Sequence, residues 1–232
     1  MTLPSLAISM TAYNDEATIE SLIRESIRVL DTLKTPYNVV VINDGSKDRT
    51  KDILDSLSRE LPALQVIHHP QNLGFGQTLK DVFQKPTQEA VFFIPGDGQI
   101  GPEEIHKLLP ALENSDFILG WRKSRKDGLR RAVLSGFYNG LVSWRLGRKV
   151  NDVDSVALVK RSVIEAIHFK NNSAFFHAEF LLETARLGFR WTEVPIEHRP
   201  RLTGKSTVFR WKVLRPALRD LILYFLTPRP SK

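Results

Sequence analysis

The chain has 232 residues, 42% of them apolar, and a formal net charge of +7 with an isoelectric point near 9.7. That length fits one sizeable domain or two small ones, and that composition supports a packed core. The absence of cysteine excludes disulfides, zinc–thiolate sites, thiol nucleophiles and the cysteine-containing deaminase signature.

Met1 to Pro4 show no basic stretch leading into an apolar run, so no signal peptide is expected. Nor does any uninterrupted apolar run reach the roughly 18 residues of a membrane span. Leu6 to Met10 reads as a buried strand. Ala17 to Leu33 reads as a helix, with Ile19, Leu22, Ile23, Ile27 and Leu30 at helical spacing. A Val-rich strand is predicted from Tyr37 to Ile42, a helix from Arg49 to Leu61, and a short strand from Leu64 to Ile67. Gln77 to Phe83 reads as a helix and Ala90 to Ile94 as a fourth strand. Such alternation predicts a doubly wound, mostly parallel α/β sheet with helices on both faces.

The second half is less regular. Strands are predicted at Phe117–Gly120, Ser155–Val159 and Trp191–Val194. Helices are predicted at Arg130–Leu146, Ser162–Ile167 and Ala178–Leu187, the last capped by Gly188. A final helix spans Val208 to Leu226, interrupted or restarted near Pro216. One domain over residues 1–207 is expected, followed by an amphipathic helix and tail over 208–232.

In a parallel sheet the loops after the strands share one edge, where ligands sit. After the first strand come Tyr13-Asn14-Asp15-Glu16. Asn43-Asp44-Gly45-Ser46-Lys47-Asp48 follow the second, and Gly96-Asp97-Gly98-Gln99 the fourth. Asp44 can hydrogen-bond a nucleotide base or ribose; equally, Asp-Gly is a common turn and Asp48 can cap the next helix. Asp97 between two glycines suits a hard divalent ion on phosphate oxygens. It also suits a simple turn that caps a helix beginning near Pro102. Thr203-Gly204-Lys205-Ser206 is not a phosphate-binding loop, because Arg199 stands where its upstream glycine belongs. Glu179 reads as a general base for a hydroxyl acceptor, or as an exposed carboxylate at a helix start.

Cations cluster later: Arg122 to Lys149 carry one set and Arg199 to Arg219 another. This polarity suggests an acidic end that holds a metal and a basic end that holds phosphates.

Taken in order, the loops resemble family 2 glycosyltransferases of the GT-A fold, and most closely the dolichol-phosphate mannosyltransferase-like branch. The matching stretches are Tyr13 to Glu16, Asn43 to Thr50, Asn72-Leu73-Gly74-Phe75-Gly76, Asp97-Gly98-Gln99 and Gly120-Trp121-Arg122. Glu193-Val194-Pro195-Ile196 follow, with His198, Arg199, Arg201, Gly204, Lys205 and Ser206. The sequence departs from the family at Pro95, where the first metal-motif aspartate usually stands, at Asn43, which replaces the first of an aspartate pair, and at Thr11, near a common proline.

The resemblance implies an inverting hexosyltransferase that uses a nucleotide-sugar donor, GDP-mannose or a UDP-sugar, and Mg2+ or Mn2+. Tyr13, Asp15, Asn43 and Asp44 would hold the nucleoside. Asp97 and Gln99 would hold the diphosphate through the metal, and Arg122, Arg131, Arg201 and Lys205 would meet donor and acceptor phosphates. A polyprenyl phosphate acceptor needs no general base. The alternatives are a non-catalytic or weakly catalytic sugar-nucleotide binder and a nucleotidyltransferase. The acidic loops argue against nucleic acid. Apolar residues and arginines of the last helix suit an anionic lipid surface, and suit equally well packing within the domain or a homodimer contact. A cytoplasmic protein, peripheral on the cytoplasmic membrane face, is expected.

Overall fold

The computed structural model describes residues 3–123, 129–200 and 211–226, the side chains of 129–134 and 211–214 excepted. Its elements are β1 (Leu6–Ala12), α1 (Ile19–Thr32), β2 (Tyr37–Asn43), α2 (Thr50–Glu60), β3 (Leu64–His68), α3 (Phe75–Gln84) and β4 (Ala90–Pro95). The single-turn helix α4 (Ile105–Leu108) follows, between 3-10 segments at Pro102–Glu104 and Leu109–Glu113. Then come β5 (Phe117–Arg122), α5 (Leu129–Leu146), β6 (Ala157–Lys160), α6 (Arg161–Ala166), α7 (Phe176–Arg186), β7 (Trp191–Ile196) and α8 (Trp211–Leu226).

Seven strands form one sheet in the order β3-β2-β1-β4-β6-β5-β7. All pairs are parallel except those of β6, which runs antiparallel to both β4 and β5. Strand alternation divides the core. Leu6, Ile8 and Met10, with Val39, Val41, Phe92 and Ile94, meet α1, α2 and residues 105–112. Ala7, Val40, Ile42, Val91 and Phe93 point to the opposite face, under α3, α5, α6, α7 and α8. Because both faces are covered, the strands read in sequence as continuous apolar runs.

Two differences from the expected elements have physical causes. The helical turns over 102–113 carry no extended periodic stripe, being short and split by Pro110. Pro216 does not break the last helix, which runs through it. A proline there removes one backbone hydrogen bond, while buried Leu221 and part-buried Tyr224 and Phe225 hold the helix to the core.

The α7 face is built on aromatic packing. Phe180 is 1% exposed and meets Phe83, Phe117 and Phe169 edge-on at centroid distances of 4.9, 5.0 and 4.9 Å. Phe180→Ala is expected to destabilise the protein by about 3–5 kcal/mol, as a large cavity in a packed core does. Urea unfolding checks this; a loss under 1 kcal/mol (roughly a surface substitution) contradicts it.

Candidate functional site

Strand order reverses at β1: β2 and β3 lie to one side and β4 to the other. In an open α/β sheet this switch point opens a crevice at the carboxyl ends of the strands. Parallel register sets the ends level, pairing Ala12 with Asn43 and Thr11 with Pro95.

Side-chain hydrogen bonds sew the loops together there. Asn14, in a left-handed conformation, donates its N–H to Ser46 Oγ at 3.0 Å and accepts from Lys47 N at 2.8 Å. Asp15 N donates to Thr50 Oγ1 at 2.9 Å, and Asp15 Oδ2 accepts from Tyr13 N at 2.9 Å. Glu16 accepts from Arg49 N at 2.9 Å. Thr18 Oγ1 donates to the Gly96 carbonyl at 2.8 Å, which ties the β1 loop to the β4 loop. Gly96 packs so tightly that a Cβ would lie 2.4 Å from the Thr11 carbonyl. Gly45 has a φ of 64°, and a Cβ on it would lie 2.5 Å from Gln71 C, so only glycine fits.

Tyr13 is exposed at the rim of this crevice. Asp97 and Gln99 are half-buried, and Asp97 Oδ1 accepts from Gln99 N at 3.1 Å. Asp97 therefore closes its own turn, and Gly101 rather than Asp97 stands at the cap position before Pro102. The Gln99 carbonyl accepts from Arg199 N at 2.8 Å, drawing the segment after β7 beside this loop. Arg199 in turn holds Glu25 through both guanidinium ends and Glu103 through one. A cavity of about 300 Å3 lies here, lined by Thr18, Ser21, Leu22, Glu25, Gly98, Arg199 and Pro200.

Other expected site residues face inward. Asn43 is buried; its Oδ1 accepts from Ser46 Oγ at 2.6 Å, and its amide nitrogen meets His68 Nδ1 at 2.8 Å. Asp44 is buried too, with its carboxylate taken by Leu73 N at 2.7 Å, Gly74 N at 3.1 Å and His69 Nδ1 at 2.8 Å. Arg122 ends β5 on the same sheet edge and grips Asp152 with two bonds, of 2.6 and 2.9 Å. Arg131 lies in α5 with its side chain outside the described residues, and Arg201 and Lys205 lie outside them altogether.

Glu179 is not the exposed carboxylate that one reading allowed. It is 2% exposed and accepts from Lys170 N and Asn171 N at 3.2 and 3.3 Å. Burial raises its pKa, and those amides oppose the shift. Sequence reasoning also missed His69, Asp81 and Asp152. The signal for His69 was present: it directly follows β3, one residue beyond the pair Asn43–His68.

A metal needs a donor set of the right chemistry. Among the described residues no group of three or more His, Cys, Asp or Glu side chains gathers to hold one. Asp97 with Gln99 offers two oxygen ligands at the crevice mouth. That fits Mg2+ or Mn2+, which keep waters and lean on substrate phosphates.

The sequence profile of glycosyl transferase family 2 matches residues 7–167. The chain belongs to this family. It is 26% identical over 230 residues to an undecaprenyl-phosphate 4-deoxy-4-formamido-L-arabinose transferase of Edwardsiella ictaluri, covering 97% of this chain and 69% of that one. It is 25% identical over 216 residues to the glycosyltransferase AglD of Haloferax volcanii, covering 88% of this chain and 35% of that one. Among solved structures, glucosyl-3-phosphoglycerate synthase of Mycobacterium tuberculosis, in complex with Mn2+, UDP-glucose and phosphoglyceric acid, superposes with a TM-score of 0.76 at 19% identity. That match covers 97% of this chain and 81% of the other. The fold of this family 2 glycosyltransferase is therefore GT-A, the α/β class expected from the loops.

Behind the crevice of the glycosyltransferase, His177 packs among Phe75, Phe93 and Phe176. Burial, and secondarily the Arg122 charge, push its pKa down from 6.5 to about 4, while Asp152 opposes. A depressed histidine contributes stability that is present above the unfolded value and lost as pH falls through the folded one. Between pH 6.5 and 4, unfolding free energy is expected to drop by up to about 3 kcal/mol on this account. His177→Gln should flatten that part of the curve, and denaturant titrations at several pH values measure it.

Proposed function

We propose that this glycosyltransferase moves a hexose, with inversion, from a nucleotide-sugar donor (GDP-mannose or a UDP-sugar) to a polyprenyl phosphate such as a dolichyl-type lipid. On this reading it works in the manner of the dolichol-phosphate mannosyltransferase-like branch.

The observation that carries the lipid acceptor is the outer face of α8. Leu218, Ile222, Leu223 and Leu226 are all exposed there, the last by 72%, beside exposed Arg215 and Arg219. The opposite side of the same helix is also apolar, with Leu221 buried and Phe225 stacked 6.0 Å from Trp144 of α5. Trp144 and Phe137 are themselves 73% and 65% exposed, and Arg145, Arg148 and Lys149 follow. A helix that needs water on one side does not carry leucine there. An apolar face edged by arginine suits an anionic bilayer. Among the described residues no helix is long and apolar enough to cross a membrane; on this reading the contact is peripheral.

The donor lies over the ends of β1, β2 and β4. Tyr13 and Asp15 take the nucleoside, and Asn43 and Asp44 hold that wall. Asp97 and Gln99 hold the divalent ion, which when bound offsets charge building on the departing diphosphate. Arg131, Arg201 and Lys205 bind phosphate oxygens of donor and acceptor, and Arg122 supports them through Asp152. The anomeric C–O bond to the diphosphate breaks as a bond to the acceptor phosphate oxygen forms. That oxygen is already anionic at neutral pH, so no side chain must remove a proton. Glu179 and His177, both buried and engaged, are not needed as bases.

Transfer from a panel of GDP- and UDP-sugars to polyprenyl phosphate, with and without Mn2+, tests this reading. Asp97→Ala should reduce transfer by about 100-fold, near 2.7 kcal/mol; full retained activity would remove the metal role. If donors bind without transfer, Pro95 marks a sugar-nucleotide binder that has lost catalysis.

Vesicle flotation tests the surface separately. The protein should float with vesicles rich in phosphatidylglycerol and not with pure phosphatidylcholine. The double variant Ile222→Asp, Leu226→Asp should stay in solution at unchanged fold and donor affinity. Concentration-dependent dimerisation lost in that variant would instead assign the face to a second copy.

A further inference from the structure

The register that pairs Asn43 with His68 also sends the next two residues, Asp44 and His69, out of the sheet side by side. His69 N donates to the Asn43 carbonyl at 2.9 Å, which fixes the approach. Its ring then lies between two carboxylates: Nδ1 is 2.8 Å from Asp44 Oδ1, and Nε2 is 3.0 Å from Asp81 Oδ2. The side chains of His69, Asp44 and Asp81 are only 8%, 5% and 12% exposed. Asp44 also accepts the N–H groups of Leu73 and Gly74, which lead into α3. Asp81, about two turns further along α3, also accepts from Gln77 Nε2 at 3.0 Å.

The ring thus bridges the two carboxylates, with Nδ1 toward Asp44 and Nε2 toward Asp81. The titratable groups facing the ring are Asp44 from the end of β2 and Asp81 from α3. The neighbouring His68 is engaged by Asn43 and by Asp55 of α2 instead.

We propose that His69 is a positioning residue for the donor site: its ring, seated between Asp44 and Asp81, clamps the β2 end to α3 and so fixes the Asn72-Leu73-Gly74 loop beside the crevice. The role in donor binding rests on the transferase reading above, but the clamp does not. His69 touches neither substrate nor metal ligand. It acts through Asp44, whose carboxylate it holds in the orientation that receives the loop amides. With the ring gone, Asp44 keeps the two amides but is free to turn, and the loop loses its tie to Asp81.

Two measurements test the proposal. In His69→Ala, hydrogen exchange at the Leu73 and Gly74 amides should quicken at least tenfold, and the donor KM should rise about tenfold with kcat within about threefold, the mark of lost binding in ground and transition states alike. Unchanged exchange and an unchanged KM overturn the proposal. Should His69→Ala fail to fold, Asp81→Asn, which weakens the same tie, should shift KM and exchange in the same direction. If the wild type consumes no donor, the transferase reading fails alone, and the exchange rates still judge the clamp.

Discussion

A parallel sheet buried on both faces leaves its polar chemistry only one place to go. Side chains along β1, β2 and β4 alternate into two apolar cores, so charged and amide groups can leave the sheet only at the strand ends. The reversal of strand order between β2 and β4 then separates two of those ends just enough to open a crevice. The acidic loops of the glycosyltransferase and its tight glycines follow from that geometry.

The crevice is kept in shape by charges that mostly serve the protein itself. Asp44 secures the β3–α3 loop, Arg122 secures Asp152, and Arg199 joins α1 to the segment after β7 through Glu25 and Glu103. Each is a buried or half-buried ionic group whose desolvation is offset by several hydrogen bonds. Loss of one partner would leave the other uncompensated, so these residues matter to the site even where they do not touch a ligand. Asp97 is half-buried and Tyr13 exposed at the mouth.

On the far face, α8 is apolar on both sides. One side completes the core over α5 and α7, through the Tyr224 hydroxyl to Glu183 and the rings of Phe175 and Trp144. The other side faces outward.

The elements of the first half were legible because hydrophobic period and turn residues are local properties. Each predicted strand from Leu6 to Ile94 lies within its observed counterpart, and the three polar loops were identified from strand ends alone. The family, too, was readable from the order of its short motifs. What local pattern could not supply was partner choice. Whether Glu179 faces water, whether Asp44 points at a ligand or at Leu73 and Gly74, and whether His69 meets one carboxylate or two depend on residues far away in sequence. The antiparallel insertion of β6 between β4 and β5 was equally invisible, because strand direction leaves no mark in a fully apolar run. Sequence determined the elements and the chemistry available at their ends; tertiary packing decided which of those polar groups face the crevice and which are consumed in holding it open, because burial and hydrogen-bond pairing are set only when distant segments meet.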